Sequence, residues 1–113
     1  MPNTKHTKHS HTAARRTQII RAALACFADT GFTQTTMEDI RSRSGASNGS
    51  IYHHFRDKEA LAAAVYLQGI SDYQKGLLAK LRCHPDARAG IRAIVNYHLA
   101  WIRKHPDWAR FLL

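Results

Sequence analysis

The chain has 113 residues, 44% of them hydrophobic, with 17 Lys and Arg against 8 Asp and Glu for a formal net charge of +9. That length holds one or two small units of ordinary globular composition, and the positive balance favours a polyanion partner, either nucleic acid or an anionic membrane surface. No apolar run approaches the ~20 residues of a membrane span. The basic first residues lack the apolar core of a signal peptide, and the sequence has no Gly-rich phosphate loop, nucleophile elbow or carboxylate cluster on which to build an enzyme.

Residues 1–12, MPNTKHTKHSHT, show no apolar periodicity and are expected to be disordered. His6, His9 and His11 are metal-capable types, but the run reads as a solvated tail, and no metal or other cofactor is expected. Lys5, Lys8, Arg15, Arg16 and Arg21 all precede the first acid, Asp29. Such an arm either follows phosphates and the minor groove or simply keeps the chain soluble. A first helix is expected over 13–29, because Ile20, Leu24 and Phe27 recur at i, i+4 and i+7 beside Ile19, Ala23 and Cys26. Gly31 ends it, and Phe32 is expected to fold back onto the same core. Cys26 and Cys83 lack metal-type spacing and are expected to be reduced thiols of a cytoplasmic protein.

The stretch 35–58, TTMEDIRSRSGASNGSIYHHFRDK, reads as two short helices joined by a tight turn. Thr35 or Thr36 caps the first, since each has an acid three residues on, Glu38 or Asp39. Gly45 follows that helix, where a left-handed backbone is often needed. Ser47 caps the second, which turns Ile51 and Phe55 inward. Ser47, Asn48, Gly49, Ser50, Tyr52, His53 and His54 are left for the outside or the N-terminal end. That face is small and polar, then phenolic and imidazole-bearing, and holds no acid. Such a helix suits the major groove of duplex DNA, where its first side chains reach base edges. Asp57 caps a fourth helix reaching about residue 82, with Gly69 and Gly76 marking either close packing or a bend. His84-Pro85 breaks it. Asp86 caps a fifth helix with a broad stripe of Ile91, Ile94, Val95, His98, Leu99, Trp101 and Ile102. His105-Pro106 breaks again, and a sixth helix starts at Asp107.

Thr36, Ile40, Gly45, Ser47, Gly49, Ile51, Tyr52, His54, Phe55, Asp57, Lys58 and Leu61 match the pattern T-x-x-x-I-A-x-x-A-G-V-S-x-G-x-[IL]-Y-x-[HY]-F-x-[SND]-K-x-x-L. On those residues the chain resembles the TetR-type (tetracycline-repressor-like) transcriptional regulators. The resemblance is strong from Ala13 to about Leu61 and consistent to Leu113. It implies an all-α fold: a three-helix, homeodomain-like helix-turn-helix over 13–58, then a long connecting helix and an incomplete helical ligand-binding and dimerisation domain over 59–113. It implies a sequence-specific regulator, not an enzyme, acting as a repressor that a small-molecule effector releases from a double-stranded DNA operator.

By the same resemblance, Ser47, Asn48, Gly49 and Ser50 face the groove. Asn48 is the base reader, because an amide pairs bidentately with adenine. Thr36, Tyr52, His53, His54 and Lys58 are phosphate contacts. Imidazoles titrate near neutrality, so this pair is expected to strengthen binding as pH falls. Tyr66, Tyr73, Tyr97, His98 and Trp101 are candidate effector-pocket residues, or alternatively core. Arg41 stands where the family has a small residue, so Arg41→Ala is expected to be neutral or stabilising unless the guanidinium finds a partner such as Glu38. Family members run to about twice this length and form homodimers through later helices. The chain is therefore expected to be a fragment whose second half packs loosely by itself. The alternative reading is a helical protein-interaction or anionic-membrane-surface module. The polar outer face of the second short helix opposes it, since lipid insertion wants exposed Trp, Phe or Leu.

Overall fold

A computed structural model describes residues 4–83 and 86–112, with side chains from residue 11 onward. The side chains of Lys5, His6, Lys8 and His9, and the His84-Pro85 break, lie outside the described residues. Among the described residues every regular element is helical: α1 (Thr4–Thr30), α2 (Met37–Ser44), α3 (Asn48–His54), α4 (Lys58–Arg82), α5 (Ala87–Lys104) and α6 (Pro106–Leu112). The all-α expectation stands. Pro106 opens α6 at the first helical position, where its missing N–H has no intrahelical role.

The expectation of disorder over 1–12 is corrected for residues 4–12, which continue α1 toward its start. Composition measures whether a segment can bury apolar surface. It does not measure whether the segment can extend a helix already nucleated, where each added residue gains a hydrogen bond without a new nucleation cost. Residues 11 and 12 of this extension are exposed, as are residues 13–18 that follow it, and the buried positions of α1 begin at Ile19.

The chain divides into two compact units, Met1–Val65 and Tyr66–Leu113. In the first, Ile19, Ile20, Ala23, Leu24, Cys26 and Phe27 of α1 are buried together with Ile40, Ile51, Phe55, Leu61 and Val65. Phe32 belongs to the edge of this core rather than its interior. It is 39% exposed, with its ring centroid 5.6 Å from that of Phe27. Thr35 is 1% exposed. Its hydroxyl lies 2.7 Å from the Gly31 carbonyl, 3.2 Å from the Cys26 carbonyl and 2.8 Å from the Thr30 hydroxyl. These contacts satisfy a polar group that would be costly to bury unpaired. Gly31 adopts φ 83°, which lets the chain leave α1 in the left-handed region. Cys26 is buried and Cys83 exposed, and both are free thiols.

In the second unit the two helical glycines of α4 mark close packing, not a bend. A Cβ on Gly69 would stand 2.5 Å from Cε3 of Trp108 in α6, and one on Gly76 would collide with the Tyr97 phenol of α5. Tyr97 Oη donates to the Tyr73 carbonyl at 2.9 Å. That carbonyl lies one turn from Gly76, so the absent side chain is what lets the phenol reach the backbone. The stripe on α5 is largely open: Ile91 is 64%, Val95 51% and Leu99 48% exposed.

Gly76→Ala should therefore destabilise the second unit by about 1–3 kcal/mol, the usual cost of overpacking, although alanine is the better helix former. Urea unfolding followed by Trp fluorescence, with Trp101 and Trp108 both in that unit, measures it.

Candidate nucleic-acid interface

The geometry of the site begins in α2. Thr36, not Thr35, is its cap. Thr36 Oγ1 accepts from the Asp39 N–H at 3.1 Å, and the Asp39 carboxylate accepts from the Thr36 N–H at 2.9 Å. That backbone donor holds the Asp39 carboxyl below its usual range. Thr35 is unavailable because its hydroxyl is committed to the end of α1.

The turn between α2 and α3 passes through Gly45 at φ 74°, whose N–H donates to the Arg41 carbonyl. Ser44 Oγ accepts from the Ala46 N–H at 3.2 Å. Arg41 binds across the same turn. Its Nε and Nη2 donate to the Glu38 carboxylate at 2.8 and 2.6 Å, and its Nη1 donates to the Ala46 carbonyl at 3.3 Å. The guanidinium thus has the partner, Glu38, that was the stated exception to a neutral or stabilising removal, and the Ala46 carbonyl besides.

Ser47 then caps α3, its hydroxyl accepting from the Ser50 N–H at 3.1 Å. Ile51 and Phe55 face inward at 0% and 4% exposure. Ser47, Asn48, Gly49, Tyr52 and His53 are exposed, and Ser50 and His54 half-buried, so the sequence-predicted residues of α3 share one outer surface. The hydroxyls of Thr36 and Ser47 use an acceptor lone pair in capping and keep O–H free to donate. Gly49 has an ordinary φ, and a Cβ there would meet nothing closer than Ser47 Oγ at 4.0 Å. Nothing inside the protein requires glycine at this position.

Lys58 is placed differently from a free phosphate contact. Its ammonium donates to the carbonyls of Phe32 at 2.7 Å and Thr33 at 3.3 Å and lies 4.3 Å from the Phe32 ring centroid. One of its three N–H donors remains uncommitted. Asp57 caps α4 through the Ala60 N–H at 2.8 Å. Arg16 is a participant the α3 pattern did not single out, its guanidinium 5.3 Å from the centroid of Phe55. Burial first, then the charges of His53, Arg16 and Arg15, hold His54 below the ordinary imidazole range. This end of the site is therefore positive, with α1 supplying two of the cations.

Of the residues expected to line an effector pocket, four come together in the second unit. Tyr73 Oη lies 3.0 Å from His98 Nδ1, and the Tyr73 ring centroid is 5.4 Å from that of Tyr97 and 5.3 Å from that of Trp101. They fill one another's space as an aromatic cluster. Tyr66 is 49% exposed and takes no part in it.

Two short helices crossing at a left-handed glycine turn, braced by α1 and presenting a polar outer helix, define a helix-turn-helix. Residues 19–65 match the bacterial regulatory proteins of the tetR family. Over 88 residues the chain is 34% identical to the HTH-type transcriptional repressor KstR2 of Rhodococcus jostii, covering 77% of this chain and 43% of that protein. It is 41% identical over 86 residues to the HTH-type transcriptional regulator BetI of Pectobacterium carotovorum, covering 73% and 43%. A solved tetR-family regulatory protein from Rhodococcus RHA1 superposes with a TM-score of 0.80 at 26% identity, covering 87% of this chain and 52% of that one. Residues 19–65 thus carry the regulatory-protein domain of the tetR family. The chain spans less than half the length of these two sequence relatives.

Two outcomes follow from this geometry. Arg41→Ala should lower the thermal midpoint of the first unit, and Arg41→Lys should not restore it, because an ammonium lacks the fork that reaches Glu38 and Ala46 together. His54, with its folded pKa below the unfolded value of about 6.5, favours folding fully above that pH and loses this contribution as pH falls through the window toward the folded pKa. Urea midpoints at pH 7.5 and 5.5 should therefore drop less in His54→Gln than in the wild type.

Proposed function

We propose that this chain is the DNA-binding part of a sequence-specific transcriptional regulator, a repressor that a small-molecule effector releases from its operator in the cytoplasm. The observation that carries the reading is the outer surface of α3. Its exposed residues are polar or small, and Gly49 weakens the helix by roughly 0.5–1 kcal/mol relative to alanine with no internal contact to explain it. An external surface that must approach the backbone closely accounts for both. The names of the relatives, repressor and regulator, support the same class. No helix among the described residues is long and apolar enough to cross a membrane.

In this reading Asn48 pairs with a base edge, flanked by Ser47, Gly49 and Ser50 against the groove wall. Thr36, Tyr52, His53 and His54 donate to phosphates, and Lys58 uses its remaining donor. Phosphate contacts fix register and base contacts carry sequence. The protein acts as a homodimer, because two heads about one DNA turn apart, or a multiple of it, read a two-fold operator.

Titration against duplex from upstream of the gene itself, at two salt concentrations, tests this. Affinity should fall steeply with salt, as counterion release requires. Asn48→Ala should cost ~1–3 kcal/mol on the correct site and nothing on unrelated duplex. Gly49→Ala should raise stability by roughly 0.5–1 kcal/mol while weakening duplex binding. Affinity that is equal for all sequences, or unchanged by salt, defeats the proposal.

A further inference from the structure

The second unit contains an open groove of about 580 Å³ whose chemistry the reading above leaves unused. Arg88, Arg92 and Asn96 line it at four-residue intervals along α5, and Ala89 and Ala93 form the adjacent ridge, continued by Tyr97 and Ala100. Residues four apart on a helix stand one above the other, about 5–6 Å apart at Cβ. Arg88 and Arg92 are therefore neighbours on one side of the groove, beside methyl groups and a phenol ring. Lys80, in the last turn of α4, adds a third cation to the lining.

The charge here is unbalanced. Asp86 is the one carboxylate of the lining, and it is already used as the cap of α5, accepting the Ala89 N–H at 2.8 Å. Arg41, Arg43, Arg56 and Arg110 each hold a carboxylate. Among the described residues Lys80, Arg88 and Arg92 hold none. Exposed arginines without partners are common on any surface. These differ in lining one cavity of ligand size, within the ~300–1,000 Å³ of small-molecule sites, with apolar surface directly beside them.

We propose that this groove binds an amphipathic organic carboxylate. The planar forks of Arg88 and Arg92 take the carboxylate in paired hydrogen bonds, and Lys80 adds charge. The apolar body of the ligand covers Ala89, Ala93 and Ala100 against the Tyr97 ring. Inorganic phosphate would satisfy the cations yet leave the methyl floor wet, which is why the proposal specifies a carboxylate with an apolar body. The proposal names the chemical class of the effector and takes its regulatory meaning from the function proposed above. Binding itself is read without DNA, so a failure of the groove and a failure of operator recognition show up in separate experiments.

The test is calorimetric titration of the whole chain with monomeric decanoate, beside decanol, decyltrimethylammonium and inorganic phosphate. Decanoate should bind saturably at one site. Arg88→Gln and Arg92→Gln should each weaken it on the order of tenfold, as loss of a charge-assisted hydrogen bond does, with helical circular dichroism unchanged. Ala93→Leu, which fills the floor while leaving all three cations in place, should also weaken decanoate but spare any residual phosphate binding. The proposal is overturned by absence of saturable decanoate binding. It is equally overturned by equal affinity for decanol or decyltrimethylammonium, by phosphate displacing decanoate as well as decanoate itself does, or by wild-type affinity in the Arg88→Gln, Arg92→Gln double variant.

Discussion

The direction of α3 is set by the three residues between it and α2, Gly45, Ala46 and Ser47. Gly45 takes the chain through the left-handed region and returns its N–H to Arg41, a conformation that costs any residue with a Cβ. Ser44 and Arg41 then hold the two ends of the Ala46 peptide, the hydroxyl accepting from its N–H and the guanidinium donating to its carbonyl. With that peptide fixed, Ile51 and Phe55 enter the core formed by α1, and the polar side of α3 can only face outward. The outward setting of the polar side of α3 is thus a consequence of backbone geometry in the turn that precedes it.

Much of this was legible along the chain because it rests on local spacing. The glycine turn, the serine cap of α3 and the inward pair Ile51 and Phe55 are all short-range patterns. The cap of α2 was ambiguous by one residue, and tertiary burial resolved it: Thr35 is drawn into the end of α1, leaving Thr36 to cap. Glu38 as a partner for Arg41 could be read from a spacing of three, whereas the Ala46 carbonyl could not, since it depends on how the turn folds back. The extension of α1 over residues 4–12 was hidden for another reason. Polar composition argues against a core, and a helix propagated from a buried segment needs none.

Beyond the first unit the signals are weaker for a physical reason. Gly69 and Gly76 read as liabilities in a helix, and only the positions of Trp108 and Tyr97 reveal them as contact points. The aromatic residues of α4 and α5 announced a cluster but not whether it enclosed space. Tyr73, Tyr97, His98 and Trp101 pack against one another, and a larger open groove runs along α5, where Tyr97 meets Arg88 and Arg92.

Lys58 bonds to the carbonyls of Phe32 and Thr33 across more than twenty intervening residues. It acts as a clasp, closing the whole α2-turn-α3 segment into a loop whose two ends are held together without a covalent link. Leu61 and Val65, both at 0% exposure, reinforce the closure from the same side of the chain. The smallest autonomous folding module therefore does not end where the two-helix motif ends. It has to carry the first two turns of α4, and a head grafted onto another protein with its junction at Asp57 would arrive with its loop unfastened.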